Sequence, residues 1–212
     1  MKAQIKIIRK TLLAINTFAS TDESRYVING ICIEVTKLGR CRFIATDGRR
    51  LGAIEDGELM SAHPAKTEQV VFILNEPLLK ALPKSRNVFN DVLIDIDGSK
   101  IELSPGDGNT KTKIQLEAVE ENFPKWRQVI PSGTQPMPID PSFNWRLLNG
   151  FTKAADILTA NNIAGIEVRQ KPDGTMLILI PSVPNFVGVL MPMRRESKAD
   201  TAPEWLNSED AQ

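Results

Sequence analysis

Few side chains in this chain could do chemistry, and their spacing does not favour it. His63 stands in a polar loop with neither a nucleophile nor a carboxylate spaced to make it a general base. One histidine and two cysteines, Cys32 and Cys41, are too few soft ligands for a Cys/His zinc site. Asp95-Ile96-Asp97-Gly98 has the look of a calcium loop, but Leu93 and Ser104 occupy the loop positions where Asp and Glu are required. A hairpin turn fits those residues better. Ser104-Pro105-Gly106-Asp107-Gly108 supplies small turn residues without the Gly-Lys-Ser/Thr that completes a phosphate cradle. The expectation is a protein without catalytic residues, cofactor or metal.

What remains is charge and apolar surface. The 212 residues hold 26 Lys+Arg and 26 Asp+Glu, so only their segregation can indicate a partner. Basic residues gather where helices are predicted. Lys6, Arg9 and Lys10 lie in the first helical region. Lys80, Lys84 and Arg86 outweigh Glu76 in the second, 76–86, and Arg146 and Lys153 outweigh Asp156 in the third, 142–158. Basic helices on one face of a sheet attract phosphates by counterion release without reading bases. Lys and Arg are also good helix formers that suit an ordinary solvated face.

The elements that would position these groups recur along the chain. Short apolar strands at Ile5-Lys6-Ile7, Val71-Phe72-Ile73 and Met137-Pro138-Ile139 start at equal intervals of 66 residues. Each precedes an amphipathic stretch with a Leu-Leu pair, at Leu12-Leu13, Leu78-Leu79 and Leu147-Leu148. Strand–turn–strand signatures follow at 27–46, 92–103 (turning at Asp97-Gly98) and 164–181 (turning at Asp173-Gly174), and closing strands at 50–55, 111–119 and 186–193. The chain reads as three β-α-β-β-β units in an α+β fold. Units 3–57 and 67–120 form one domain, 1–130, and the third occupies 131–195. Residues 57–67 are expected to be a linker, and 196–212 a flexible acidic tail.

In the first hairpin, Thr36 is expected opposite Cys41 and Cys32 opposite Ala45, which keeps the sulfurs apart as free thiols suited to a reducing cytoplasm. The apolar stretch Thr11-Leu12-Leu13-Ala14 is too short, and too soon broken by Asn16, for a secretion signal. No run reaches the ~18 apolar residues of a membrane span; 176–191 is interrupted by Pro181 and Pro184.

Four segments add a resemblance. Ala45-Thr46-Asp47-Gly48-Arg49-Arg50-Leu51 resembles the Ala-Thr-Asp-Gly-His-Arg-Leu signature of the bacterial sliding clamp family, the beta subunit of DNA polymerase III. Upstream, Arg25-Tyr26-Val27-Ile28-Asn29-Gly30 resembles its Arg-Tyr-x-Leu-Asn-Gly segment. Phe123-Pro124-Lys125-Trp126 through Val129-Ile130-Pro131 resembles its Phe-Pro-x-Tyr-x-x-Val-(Leu/Ile)-Pro connector. Val189-Leu190-Met191-Pro192-Met193-Arg194 resembles its C-terminal Val-Met-Pro-Met-Arg. The four stand in the family's order over about 5–194.

The resemblance implies a clamp fold with helices lining a channel around duplex DNA, no catalysis, and a cleft that takes short apolar peptides of polymerases and repair proteins. By the same resemblance Ile28, Thr46, Gly48, Arg49, Arg50 and Leu51 form one cleft wall. Pro131 lies in the connector, Asn144 and Leu147 on the last helix, and Val189, Leu190, Met191, Pro192, Met193 and Arg194 on the closing strand. Core packing is the competing role for Leu147 and Val189. The basic residues named above would face DNA.

This chain has three units where a full clamp subunit has six, so one copy is not expected to encircle DNA. Four copies, an open arc or a monomer are all compatible with that count. Arg49 replaces the family's histidine, Arg195 its terminal apolar residue, and the tail's Trp205-Leu206 could occupy a cleft. The competing function is a peptide-binding or regulatory module that pairs with, or competes with, a full-length clamp.

Overall fold

The computed structural model describes residues 1–74, 78, 81, 90–107, 113–120, 122–130, 143–159, 165–170 and 174–193. Alternation builds the first strand: in β1 (Lys2–Ile8), Ala3, Ile5 and Ile7 are buried while Lys2, Gln4 and Lys6 reach solvent. Helix α1 (Arg9–Asn16) follows directly. It has no side-chain N-cap; the carbonyl of Asn90 accepts the Arg9 N–H at 3.1 Å instead. Strands β2 (Ile31–Val35), β3 (Cys41–Thr46) and β4 (Arg50–Glu55) then form an antiparallel meander, and the short β5 (Glu58–Leu59) returns to β1. Next come β6 (Glu68–Phe72), β7 (Asp91–Asp97), β8 (Lys100–Pro105) and β9 (Ile114–Glu117). The last described elements are α2 (Trp145–Thr159), β10 (Glu167–Gln170), β11 (Met176–Leu179) and β12 (Phe186–Leu190).

These strands form two antiparallel sheets, ordered β5-β1-β7-β8-β9 and β10-β11-β12-β4-β3-β2-β6. The first two units exchange their leading strands. β1 pairs with β7 of the second unit, and β6 pairs with β2 of the first. One core consequently spans both sheets, with Ile5, Ile94 and Leu103 from one, Ile33, Phe43 and Phe72 from the other, and Leu12 and Ile15 of α1. Each such side chain, fully buried, contributes roughly 1.5–3 kcal/mol.

The third unit joins the second sheet where β12 pairs with β4. Two glycines face each other there, Gly188 opposite Gly52. A Cβ on Gly52 would come within 2.4 Å of the Phe18 ring, and one on Gly188 within 2.4 Å of the Phe151 ring. The missing side chains let the two rings lie against the sheet and each other, 4.9 Å between centroids. Helices α1 and α2 run antiparallel above them. Lys10 at the start of α1 donates to the Leu158 carbonyl near the end of α2 at 2.7 Å. Arg50 joins the opposite ends, donating to the Thr17 and Leu147 carbonyls.

Several expectations shift. The apolar run from 27 does not begin a strand; Glu23–Ile28 is a 3-10 turn whose first N–H groups are held by Asp22, and β2 starts at Ile31. The first hairpin pairs Val35 with Cys41 and Cys32 with Ile44, one residue from the expected register. The thiols are free and on opposite faces, Cys41 in the shared core and Cys32 beneath the connector. The second hairpin turns at Gly98-Ser99, since Asp97 pairs with Lys100 and Gly98 takes the positive φ (64°) the turn needs. The expected linker contains β5, because Gly57 at φ 87° turns the chain back onto β1. Of the expected second helix only Leu78 and Ala81 are described, both helical; the rest of it, the strand at 137–139 and the tail 196–212 lie outside the described residues.

Candidate functional site

The segment Ala45-Thr46-Asp47-Gly48-Arg49-Arg50-Leu51 is a turn held by its own side chains. Thr46 Oγ1 donates to the Arg50 carbonyl at 2.7 Å and accepts from the Gly48 N–H at 3.0 Å. Asp47 Oδ1 accepts from the N–H groups of Arg49 and Arg50, an arrangement that suits Asp at the head of a tight turn. Gly48 has φ 83°, and the Arg25 guanidinium lies against it and donates to the Asp47 carbonyl. The Met191 N–H, just past β12, donates to the Arg49 carbonyl at 2.9 Å, tying the closing strand to this turn.

A cleft of about 270 Å³ opens between turn, closing strand and connector. Its buried lining is Ile28, Leu51, Val189 and Trp126, with Thr46 beside them. The rim is Gly48, Arg25, Arg49, Val129 and Met191, the last two exposed large apolar side chains. Buried apolar walls with a soft methionine at the mouth and guanidinium groups around it can take apolar side chains and meet polar peptide ends.

Strand alternation sorts the remaining expectations. Val189 points to the cleft, so its neighbour Leu190 points to the other face and is fully buried in the shared core. Leu147 packs against that same core, and its carbonyl accepts from Arg50. Asn144 does not line the cleft; its side-chain oxygen accepts the Arg146 N–H at the start of α2. Arg50 borders the cleft but is turned inward. Its guanidinium holds Asp47, Thr17 and Leu147 and sits 5.5 Å from the Phe18 ring centroid. Pro192 and Met193 lie beyond the lining, and Pro131 and Arg194 lie outside the described residues.

Trp126, Pro124, Lys125, Val129 and Arg25 join the cleft without having been assigned to it from sequence. The connector is fastened by Glu34, fully buried on β2. Arg127 grips Glu34 with two guanidinium nitrogens, and Arg42 Nη1 and Gln69 Nε2 donate to it at 3.0 and 2.9 Å. Burial opposes ionisation of Glu34, but these donors outweigh it and hold the carboxyl down to about 2. The Arg127 guanidinium also stacks on Trp126, 4.4 Å from the ring centroid, and so sets the indole in the cleft wall.

The basic residues expected to face DNA divide. Lys6 belongs to β1, not to a helix, and pairs with Asp91 at 3.4 Å. Arg9 is half-buried at the start of α1, and Lys10 is engaged with Leu158. Arg146 and Lys153 stand exposed on one face of α2 with Asp156, and Arg146 lies 5.5 Å over the ring of exposed Trp145. Lys80, Lys84 and Arg86 lie outside the described residues. No described helix is long and apolar enough to cross a membrane.

No protein-family model matches the chain, and no curated protein matches it. Solved structures do. A DNA polymerase sliding clamp from Pseudomonas aeruginosa, crystallised with a ligand, is 18% identical with a TM-score of 0.61; the alignment covers 91% of this chain and 66% of the clamp. The sliding clamp of Caulobacter crescentus gives 19% identity and a TM-score of 0.64 over 91% and 65% of the two chains. DNA polymerase III subunit beta of Borrelia burgdorferi, in complex with a natural product, gives 14% and 0.58 over 91% and 63%. The chain thus spans about two thirds of the length of these clamps. With exchanged leading strands, a unit joined at β12–β4 and this likeness, the chain has the α+β fold of bacterial sliding clamps.

Proposed function

We propose that this protein is a non-catalytic, clamp-like accessory factor of cytoplasmic DNA replication or repair. It captures short apolar peptides of polymerases or repair proteins in the cleft at the β12–β4 junction, and it associates with duplex DNA without reading sequence. The cleft carries the reading: Leu51 and Met191, far apart in the chain, line one apolar recess beside Trp126. Arg146 and Lys153 on α2 supply phosphate contacts.

A second reading, a peptide module that pairs with or competes with a full-length clamp, is favoured by the engagement of Lys6 with Asp91 and of Lys10 with Leu158. Anisotropy titrations separate the two. A labelled short peptide with two large apolar side chains should bind saturably with little response to salt, and Met191→Glu should weaken it roughly tenfold or more, about 1.4 kcal/mol. A labelled duplex should bind with an affinity that falls steeply as salt rises, and Lys153→Glu should weaken it. Peptide binding without duplex binding selects the module. Absence of peptide binding removes both readings.

A further inference from the structure

The two sheets are built alike but finished differently. In the second sheet the run β6-β2-β3-β4 continues through β4 into β12; in the first the equivalent run β1-β7-β8-β9 stops at β9. Among the described residues no strand pairs with the outer edge of β9. Unlike many edge strands, β9 carries no proline or bulge to discourage pairing. Its phase is fixed by the Ala118 N–H, which donates to the Ser99 carbonyl at 2.7 Å. Backbone direction alternates along a strand, so the N–H and C=O groups of Lys113, Gln115 and Glu117 point away from β8, toward the open edge.

We propose that β9 pairs antiparallel with β9 of a second copy of this chain, about a two-fold axis at Gln115. This register keeps the whole strand paired. It sets Gln115 opposite its own copy and Lys113 opposite Glu117, so that outward-pointing backbone groups meet as hydrogen-bonded pairs. It also sets Lys113 against a carboxylate of opposite charge on the solvent side. On that side Lys100 already lies opposite Glu117, and Lys113 pairs with Glu102, so the union gives a row of alternating charge across four strands. On the core side, buried Ile114 meets half-buried Leu116, extending the shared core across the seam as β12 extends it across β4. The surface is self-complementary, as a two-fold interface requires.

The full chain, without DNA or peptide, tests this by sedimentation velocity over a range of concentrations. The expected result is a concentration-dependent dimer. Glu117→Lys, which opposes Lys113 with a like charge, should shift it to monomer, and adding Lys113→Glu should restore it. Gln115→Cys should cross-link two chains under mild oxidation, since Cys32 and Cys41 are buried. A monomer at every concentration, or a dimer that ignores Glu117→Lys and does not cross-link through Gln115→Cys, overturns the proposal.

Discussion

Glu34 is the buried charge on which the cleft's connector wall depends. Its carboxyl sits near 2 when folded and at its ordinary 4.5 when unfolded, so the unfolded chain binds the proton more readily. The stabilisation is complete above about pH 4.5 and is lost as pH falls toward 2; a shift of this size is worth on the order of 3 kcal/mol. Denaturant unfolding of the wild type should show that loss. Glu34→Gln should be less stable at neutral pH and should lose less stability than the wild type between pH 4.5 and 2. Burial likewise pushes the Cys41 thiol up to about 11, helped by Asp56 and Glu55, and raises Cys32 too. Both thiols should therefore resist a thiol reagent until the chain unfolds, which a reaction time course checks. The Asp47 turn could be read from Thr-Asp-Gly, since its hydrogen bonds are local. Glu34 could not: nothing within a few residues marks it as the partner of Arg127, and a Glu on a strand reads as an outward-facing solvated residue.

At the scale of elements, the β12–β4 junction rests on the absence of two side chains. Gly188→Ala or Gly52→Ala should drive a methyl group into a phenylalanine ring and destabilise the chain by about 1–3 kcal/mol or more, measured by chemical unfolding. A variant of either site with unchanged stability would contradict the close approach at 2.4 Å. Within the first unit the strand pattern was legible, because Ile5, Ile7 and the β2–β4 meander alternate or run apolar with turn residues between them. Which sheet each strand joins was not. The exchange of β1 and β6 is long-range, and local periodicity cannot encode a partner some ninety residues away, as with Ile5 and Ile94. The one-residue slip of the Cys32–Cys41 hairpin has a local cause: Thr36 pairs with Arg40 instead of Cys41, donating its N–H to the Arg40 carbonyl and accepting from the N–H groups of Gly39 and Arg40, with Gly39 at φ 77° closing the loop.

The molecule sets an apolar cleft on one face of the β12–β4 junction and helix α2, whose exposed positive charge is modest, over the other face. Sequence places Lys6 and Lys10 on a phosphate-binding face, yet Asp91 and the Leu158 carbonyl lie against them. A count of charges per segment cannot see such pairing across the fold. If DNA association operates, its salt dependence should be shallower than the full set of eight basic residues named from sequence would give, and a plot of log affinity against log salt would measure this. The cleft is the more demanding claim, since it requires Leu51, Trp126 and Met191 to act on one ligand. A crystal structure of the chain with a short apolar peptide bound is the direct measurement. The expected result is a large apolar side chain seated among those three residues, with Arg49 or Arg25 at the peptide's polar end. A peptide bound elsewhere, with this recess empty, would contradict it.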